Sequence, residues 1–163
     1  MRRRERGFTL IELLMVIAII GILAAIAIPN MLTAIQRSKQ KRTMANMKAI
    51  STAWESRASD FSAYNAAAAS AGLLGASNPI TSTDVATMLE PTYIRSLPRM
   101  DGWNRAYDIF LDKPIGAGNA QRYVIVSAGK DGIFESSPAT GYISNFDCDI
   151  IFSNGSFVAY PPQ

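Results

Sequence analysis

The feature that most constrains this chain is an apolar run that extends from Phe8 to Ile28. As an α-helix the run would rise about 31 Å, which is roughly the thickness of the hydrocarbon core of a bilayer. The segment is therefore predicted to span a membrane. The rest of the 163 residues allows one soluble domain with a small core.

A single charged residue, Glu12, interrupts this run. A carboxylate within hydrocarbon costs several kcal/mol unless it is paired, so such residues are functional candidates. Glu12 also lies at the start of the predicted helix, where the helix dipole favours negative charge. Two alternatives remain open on the residues alone: the carboxylate pairs with a cation, or it extends to the lipid headgroups.

The formal net charge of +3 is concentrated before the apolar run, where four arginines and one glutamate precede Gly7. This flank predicts a cytoplasmic N-terminus, with the remainder beyond the membrane. A second basic cluster, RSKQKR at residues 37–42, predicts a solvated or subunit-facing helix surface, or else a contact with phospholipid or nucleic acid. Nucleic acid is the weaker alternative, because the chain after Gly7 carries equal numbers of basic and acidic residues.

Pro29 follows the apolar run, where a helix loses one backbone hydrogen bond and meets a ring clash, so a kink is expected there. Beyond it, apolar residues recur at three- and four-residue steps, which predicts that the helix continues to about Tyr64. This stripe is predicted to be the seam on which a small sheet packs. Its members are Met44, Met47, Ile50, Trp54, Ala58 and Phe61.

The segment after the predicted helix, residues 65–84, is rich in alanine, glycine and serine and predicts a connecting loop. Thr83 and Asp84 are positioned to cap a short helix from Val85 to Leu89. Pro91 would follow the end of that helix.

The last third of the chain has the pattern of β-strands. RAYDIFLD at 105–112 and QRYVIVSA at 121–128 each predict a strand, with a break at GAGNA between them. Asn154-Gly155, between two β-prone runs, predicts a hairpin with a primed turn. The predicted fold class is α+β, with a long N-terminal α-helix packed on a small antiparallel β-sheet.

The composition argues against an enzyme. The chain has no histidine, which excludes a Ser/His/Asp triad, a Cys/His dyad and histidine-ligated metals. Neither GAGNAQ nor SAGKDG fits a phosphate-binding loop. Cys148 is the only cysteine, and because two aspartates flank it, a poorly ionised thiol is expected.

The stretch GFTLIELLMVIAIIGILAAIAIPN resembles the N-terminal segment of the type IV pilin and type II secretion pseudopilin family. The resemblance implies a pilin-like fold with three parts: a leader at 1–7, a long helix at 8–64 whose first half, 8–28, is transmembrane, and a globular head at 65–163. It also implies that a membrane aspartyl peptidase, the prepilin peptidase, cuts after Gly7 and methylates the new amine of Phe8.

The same resemblance implies a partner for Glu12, namely the cationic amine of Phe8 in a neighbouring subunit. Such a pair would set the register in which subunits dock. In the family, the helix between residues equivalent to Gly21 and Pro29 can loosen when subunits pack in a filament. On the residues alone, a fixed kink at Pro29 is an equal alternative.

Two further stretches resemble the major pseudopilin of type II secretion. The first, LEPTYIRSLPRMDGWNRAYDI, matches that protein's turn before a strand, although three positions that are usually proline, glycine and proline differ here. We expect the turn to be kept. The matching residues are Leu97, Pro98, Asp101, Trp103 and Tyr107, and the departures are Gly102, Asn104 and Ala106.

The second, YVIVSAGKDGIFESSPATGYISNFDCDI, resembles that protein's calcium-binding loop. Calcium prefers six to eight oxygen ligands, which Asp131, Asp147 and Asp149 could supply together with hydroxyls and backbone carbonyls. A lone cysteine allows no internal disulfide, so an ion would be the substitute that holds the loop. The alternative is that these aspartates cap turns and face water.

The expected function is that of a structural subunit that polymerises into a type II secretion pseudopilus to drive protein export. The resemblance implies an inner-membrane protein with a periplasmic head, and as partners an assembly platform, its ATPase and minor pseudopilins. One alternative is a type IV pilin of a surface pilus for adhesion, twitching or DNA uptake. Another is a membrane-anchored binding module that never polymerises.

Overall fold

The computed structural model describes residues 7–61, 78–111, 122–135 and 140–161. The chain divides into two compact units, Met1–Gln36 and Arg37–Gln163. Several expectations concern residues outside the described ranges. These are the leader up to residue 6, the helix end near Tyr64, most of the alanine-rich loop, and the GAGNA break.

Helix α1 extends over Leu10–Phe61. It begins slightly later than the predicted start at Phe8, because Gly7, Phe8 and Thr9 precede it without regular structure. Pro29 lies inside α1, and the hydroxyl of Thr33 donates to the Pro29 carbonyl at 3.1 Å. Loosening between Gly21 and Pro29 remains a prediction.

The first unit exposes its apolar side chains. Every large apolar residue from Phe8 to Ile28 is at least 46% exposed. The most apolar 18-residue window of α1 has a mean hydropathy of 2.9, and none of it is buried, so by length and composition this helix can cross a membrane. An exposed apolar surface of this extent requires lipid or other protein around it.

The second unit contains a short helix and six strands. In chain order these are β1 (Asn78–Ile80), α2 (Ser82–Leu89), β2 (Asp108–Leu111), β3 (Tyr123–Ser127), β4 (Gly141–Tyr142), β5 (Ile150–Ser153) and β6 (Ser156–Tyr160). The strands form one sheet in the order β1-β2-β3-β5-β6-β4. All neighbours are antiparallel except β4 and β6, which are parallel. The predicted α+β class is confirmed.

The predicted strands and the hairpin are present, and two short strands add to them. Asn154 and Gly155 connect β5 to β6 with φ values of 45° and 87°, as a primed turn requires. β1 was expected to be loop, but it pairs with β2 at the sheet edge. Pro79 is tolerated there because an edge strand needs no second row of N–H donors.

Helix α2 begins earlier than predicted. Its N-cap is Thr81, whose hydroxyl oxygen accepts the Asp84 backbone N–H at 3.1 Å, so the prediction of Thr83 as the cap was wrong. The hydroxyl of Thr81 also donates to the Asp84 carboxylate. The end of α2 at Leu89, just before Pro91, agrees with the prediction.

The core of the second unit lies between α1 and the inner strands. Met47, Ile50 and Trp54, from the predicted stripe, are fully buried. Every residue of β3 is buried, and the Tyr123 ring stacks on Trp54 with centroids 5.1 Å apart. The stripe is therefore the seam between helix and sheet, as predicted.

A polar contact also joins helix to sheet within this core. The Tyr123 hydroxyl donates to Glu55 Oε1 at 2.7 Å, and the Ser51 hydroxyl donates to the same oxygen at 3.0 Å. Burial raises the pKa of Tyr123, so its hydroxyl stays protonated as the donor. This contact fixes the rotation of α1 relative to β3, because only one face of the helix carries both Ser51 and Glu55.

Candidate functional site

The first candidate region is the junction between Gly7 and helix α1. Phe8 is 79% exposed, and a Cβ added to Gly7 would meet no atom within 4 Å. The peptide bond after Gly7 thus lies in open, non-helical chain. A peptidase could bind it without unwinding a helix.

Glu12 is bonded within its own chain. Glu12 Oε2 accepts from the Thr9 backbone N–H at 2.8 Å and from the Thr9 hydroxyl at 2.6 Å. The Glu12 N–H donates to Thr9 Oγ1 at 3.3 Å. This reciprocal arrangement is a capping box, which stabilises the first turn of a helix. A threonine followed three residues later by a glutamate is the sequence signature of a capping box. This role of Glu12 could have been predicted from the sequence, but it was not.

One of the two carboxylate oxygens of Glu12 remains available for a second partner. Both bonds from Thr9 end on Oε2, so among the described residues Oε1 has no hydrogen-bond donor. A carboxylate oxygen can accept further bonds, and a cation is the strongest partner it can find in a low-dielectric layer. Helix capping and pairing with a second group are therefore compatible at Glu12.

The second region is the turn before β2, where Asp101 is the organising side chain. Asp101 is 1% exposed. Its Oδ1 accepts from the Trp103 and Arg105 N–H groups at 2.8 and 2.9 Å. Its Oδ2 accepts from the Ser127 hydroxyl at 2.7 Å, which ties the turn to β3. Asp101 therefore organises this turn through both of its carboxylate oxygens.

Two of the three departures from the major-pseudopilin pattern, Asn104 and Gly102, fit the geometry of this turn. Asn104 has φ 65°, the left-handed region where the pattern has glycine and where asparagine is tolerated. Gly102 lies against α1, since a Cβ there would come within 2.2 Å of the Lys39 carbonyl oxygen. Its N–H donates to Thr43 Oγ1 at 2.8 Å. Position 102 therefore has no room for a side chain.

The two aromatic residues of this turn differ in how deeply they are buried. Trp103 is half-buried and packs against the core cluster. Tyr107 is 4% exposed, and burial raises its pKa. Both side chains thus pack within the head, and their assignment to a structural turn stays a prediction.

The third region is the aspartate loop between β3 and β5, where Asp149 is buried. Glu135 N–H donates to Asp149 Oδ2 at 3.0 Å, whereas Oδ1 is buried and has no hydrogen-bond donor among the described residues. Burial, with the nearby carboxylates of Glu135, Asp131 and Asp108, raises the pKa of Asp149 to about 6. A buried carboxylate oxygen without a donor is what a hard cation would satisfy.

The other two predicted calcium ligands are differently placed. Asp131 is exposed and accepts the Ile133 N–H at 3.0 Å. Asp147 pairs with Lys130 at 2.8 Å. Over the described ranges, no group of three or more histidine, cysteine, aspartate or glutamate side chains is arranged to hold a metal ion. The three aspartates are thus brought together only in part.

Cys148 lies between Asp147 and Asp149 and is half-buried. Burial, followed by the charges of Glu135, Asp147 and Asp149, raises the pKa of its thiol. A protonated thiol is a poor nucleophile, so the expected low reactivity is supported.

Comparison with known proteins gives two kinds of match. Residues 2–28 match the family model described as the prokaryotic N-terminal methylation motif. Over 62 residues the chain is 56% identical to the type IV major pilin protein PilA of Myxococcus xanthus, but this match covers 38% of the chain and only 28% of that pilin. No solved structure matches the chain.

Longer matches are to proteins named type II secretion system core protein G. The chain is 28% identical over 141 residues to that of Dickeya chrysanthemi, covering 86% of this chain and 88% of the relative. It is 30% identical over 139 residues to that of Klebsiella pneumoniae, covering 85% and 94%. These matches span the N-terminal helix and the head together, so the chain belongs to the family of the type II secretion system core protein G.

Proposed function

We propose that this protein is a structural subunit that polymerises into a type II secretion pseudopilus, the filament that drives protein export. The observation that carries the proposal is the extent of the match to core protein G, which reaches 94% of the Klebsiella pneumoniae relative. The exposed apolar face of α1 is consistent with it, because a membrane-anchored helix of this kind can become the core of a filament.

Processing would begin at the junction described above. A prepilin peptidase would cut after Gly7 and methylate the amine of Phe8, as the N-terminal methylation motif supports. Loss of the leader removes the arginine-rich flank and leaves a cationic amine close to the membrane segment.

Docking would use the free oxygen of Glu12. Thr9 holds Oε2, which presents Oε1 to the Phe8 amine of a neighbouring subunit. Opposite charges attract strongly where the dielectric is low, so this pair would set the axial register of each added subunit.

The partners and location follow from the same assignment. The chain would be inserted once in the bacterial inner membrane, with a cytoplasmic N-terminus and a periplasmic head. An assembly platform and its ATPase would extract subunits into the filament, which minor pseudopilins would initiate.

Calcium would hold the aspartate loop. Asp149 is the strongest candidate ligand, because its Oδ1 is buried without a donor. Of the other two predicted ligands, Asp131 is the one whose carboxylate is close enough to raise the pKa of Asp149. Asp147 would have to leave Lys130 to join them. Backbone carbonyls and water would complete the ligands that calcium requires.

A surface type IV pilin is the second candidate. It is favoured by the 56% identity to the Myxococcus xanthus pilin over 62 residues. That match covers only 38% of this chain and 28% of the pilin, whereas the matches to core protein G cover 86% and 85% of this chain.

The test is to delete the gene in its native host and follow both phenotypes. A pseudopilus subunit predicts that exported enzymes accumulate in the periplasm while surface pili persist. Loss of surface pili with unchanged export would instead establish the pilin. Complementation with the wild-type chain and with Glu12→Ala serves as the positive and negative control for assembly.

A further inference from the structure

A groove between α1 and the C-terminal part of the head has no assigned role. Its volume is about 630 Å³, within the roughly 300–1,000 Å³ range of sites that bind small groups. Its apolar lining consists of Met44, Ile143, Phe146 and Pro161.

The rim of the groove is basic. Arg37 and Lys41 lie one helical turn apart on α1 and line the groove together with Gln40. Both cations are exposed. In the part of the chain that the structure describes, the ion pairs involve Arg99 and Lys130, and neither Arg37 nor Lys41 has a carboxylate within 4 Å. The groove therefore suits a ligand that is apolar and also negatively charged.

The chain itself displays a segment with that chemistry. The loop Asp131–Glu135 (DGIFE) carries two apolar side chains between two acidic ones. Ile133 is 66% exposed and Phe134 is 38% exposed. Together they form a small exposed apolar patch flanked by two carboxylates, which has the chemistry that the groove would accept.

This loop is held in one conformation. The Gly132 N–H donates to the Ala128 carbonyl at 2.9 Å, and the Ile133 N–H donates to Asp131 Oδ1 at 3.0 Å. The Phe134 ring packs on Phe110 with centroids 5.7 Å apart. A preorganised loop loses little entropy when it binds, which makes it a good docking element.

We propose that the groove rimmed by Arg37 and Lys41 receives the Asp131–Glu135 loop of a second copy of this chain. Ile133 and Phe134 would cover the apolar lining, and Glu135 would pair with the two cations. Because groove and loop are different surfaces of one subunit, the contact is heterologous, and repeated heterologous contacts produce open helical filaments. The proposal rests on the assigned filament function and specifies one contact within it.

Disulfide cross-linking tests the contact directly. In full-length chains carrying Cys148→Ser, Lys41→Cys and Glu135→Cys are combined and expressed in cells that assemble the filament. Oxidation should produce a ladder of covalent multimers. The matched control pairs Glu135→Cys with Lys48→Cys, a basic residue of α1 that is exposed but does not line the groove.

Charge reversal supplies a second measurement, because cysteine variants could fail to assemble. Lys41→Glu and Glu135→Lys should each reduce filament mass roughly tenfold or more, whereas the combined variant should restore it. Lys48→Glu should leave filament mass unchanged. Circular dichroism of each purified chain checks that the fold is intact.

Three outcomes would overturn the proposal: a cross-link confined to monomers, no ladder in filaments that form normally, or charge reversals that behave like Lys48→Glu. None of these affects the proposed function, which fails if loss of the wild-type chain leaves export unchanged, whether or not the chain forms a filament. The two failures are therefore distinguishable.

Discussion

Glu12 shows how one side chain can serve two requirements at the residue scale. Its Oε2 caps α1 through Thr9, and its Oε1 is available for the proposed pair with Phe8. The two roles differ chemically. A capping box accepts either glutamate or glutamine at this position, whereas an ion pair requires the charge.

That difference gives the first prediction. Glu12→Gln should abolish filament assembly as fully as Glu12→Ala, because both remove the charge, although only alanine also removes the cap. The measurement is filament yield by electron microscopy, with circular dichroism of the detergent-solubilised chain to follow the helix. Normal filaments from Glu12→Gln would show that capping alone matters.

Asp149 gives the second prediction, which concerns pH. Its folded pKa of about 6 lies above the 3.8 that is usual for an aspartate, so the folded state binds a proton more readily than the unfolded state. Without calcium, its contribution to stability is therefore fully present below the unfolded pKa and is lost as pH rises through about 6.

The measurement is thermal unfolding of the full chain in detergent and chelator. Asp149→Asn should flatten this pH dependence and raise stability at pH 7 by about 2 kcal/mol. Calcium should stabilise the wild-type chain at pH 7 and not Asp149→Asn. The proposed ion site would be refuted if the wild-type chain had the same melting temperature in calcium and in chelator.

At the scale of elements, α1 and the sheet are joined by stacking and by hydrogen bonds. Trp54 stacks on Tyr123, and the Tyr123 hydroxyl reaches Glu55 on the same helix. The apolar part of this seam was predictable from the spacing of the stripe. The polar part was not, because Glu55 and Tyr123 are brought together only by the packing of helix on sheet.

The third prediction separates these two contributions. Tyr123→Phe should lower the free energy of unfolding by about 1–2 kcal/mol through loss of the buried hydrogen bond. Tyr123→Ala should cost about 3–5 kcal/mol, since the stacking is lost as well. Denaturant unfolding gives both values. Tyr142→Phe is the control that should leave stability unchanged, because Tyr142 is 74% exposed. If both Phe variants lowered stability equally, the buried hydrogen bond of Tyr123 would not be the cause.

The fourth prediction concerns the turn that contacts α1. Gly102→Ala should destabilise the head by about 2 kcal/mol or more, because the new Cβ would overlap the Lys39 carbonyl and force the turn away from the helix. Asn104→Gly should be tolerated, since its φ of 65° suits glycine. Thermal unfolding measures both, and the reverse order of effects would contradict this account of the turn.

The whole molecule divides into an exposed apolar helix segment and a head that contains its own core. Among the residues that the structure describes, the buried apolar side chains all lie after Arg37, beginning at Met47. This yields the fifth prediction, that a chain starting at Arg37 folds as a soluble monomer. Its unfolding midpoint should lie within a few degrees of that of the full chain in detergent. Aggregation or a non-cooperative transition would show that the first unit contributes to folding.

Much of this organisation could be predicted from the sequence. The apolar run, the stripe and the Asn154-Gly155 turn are local patterns, so helix, seam and hairpin followed from them. β1 and β4 could not be predicted, because strands of three and two residues carry no periodicity of their own and form only by pairing with a sheet already present.

The candidate sites likewise divide into those that the sequence identifies and those that depend on tertiary contacts. Gly7, Phe8 and Glu12 belong to one contiguous motif and could be identified by reading along the chain. The state of Asp149 depends on burial by residues distant in sequence, and the engagement of Asp147 by Lys130 is likewise a tertiary contact. Sequence identified the loop Asp131–Glu135 only as part of the stretch that resembles a calcium-binding loop, because the exposure of Ile133 is a tertiary property.

The self-contained core of the head has a consequence for turnover of the assembly. A subunit whose buried residues are supplied by its own chain gains nothing internal from its neighbours, so it can join and leave without refolding. Growth and disassembly of the filament would then depend only on contacts between folded subunits. A filament built from such subunits would come apart without unfolding their heads.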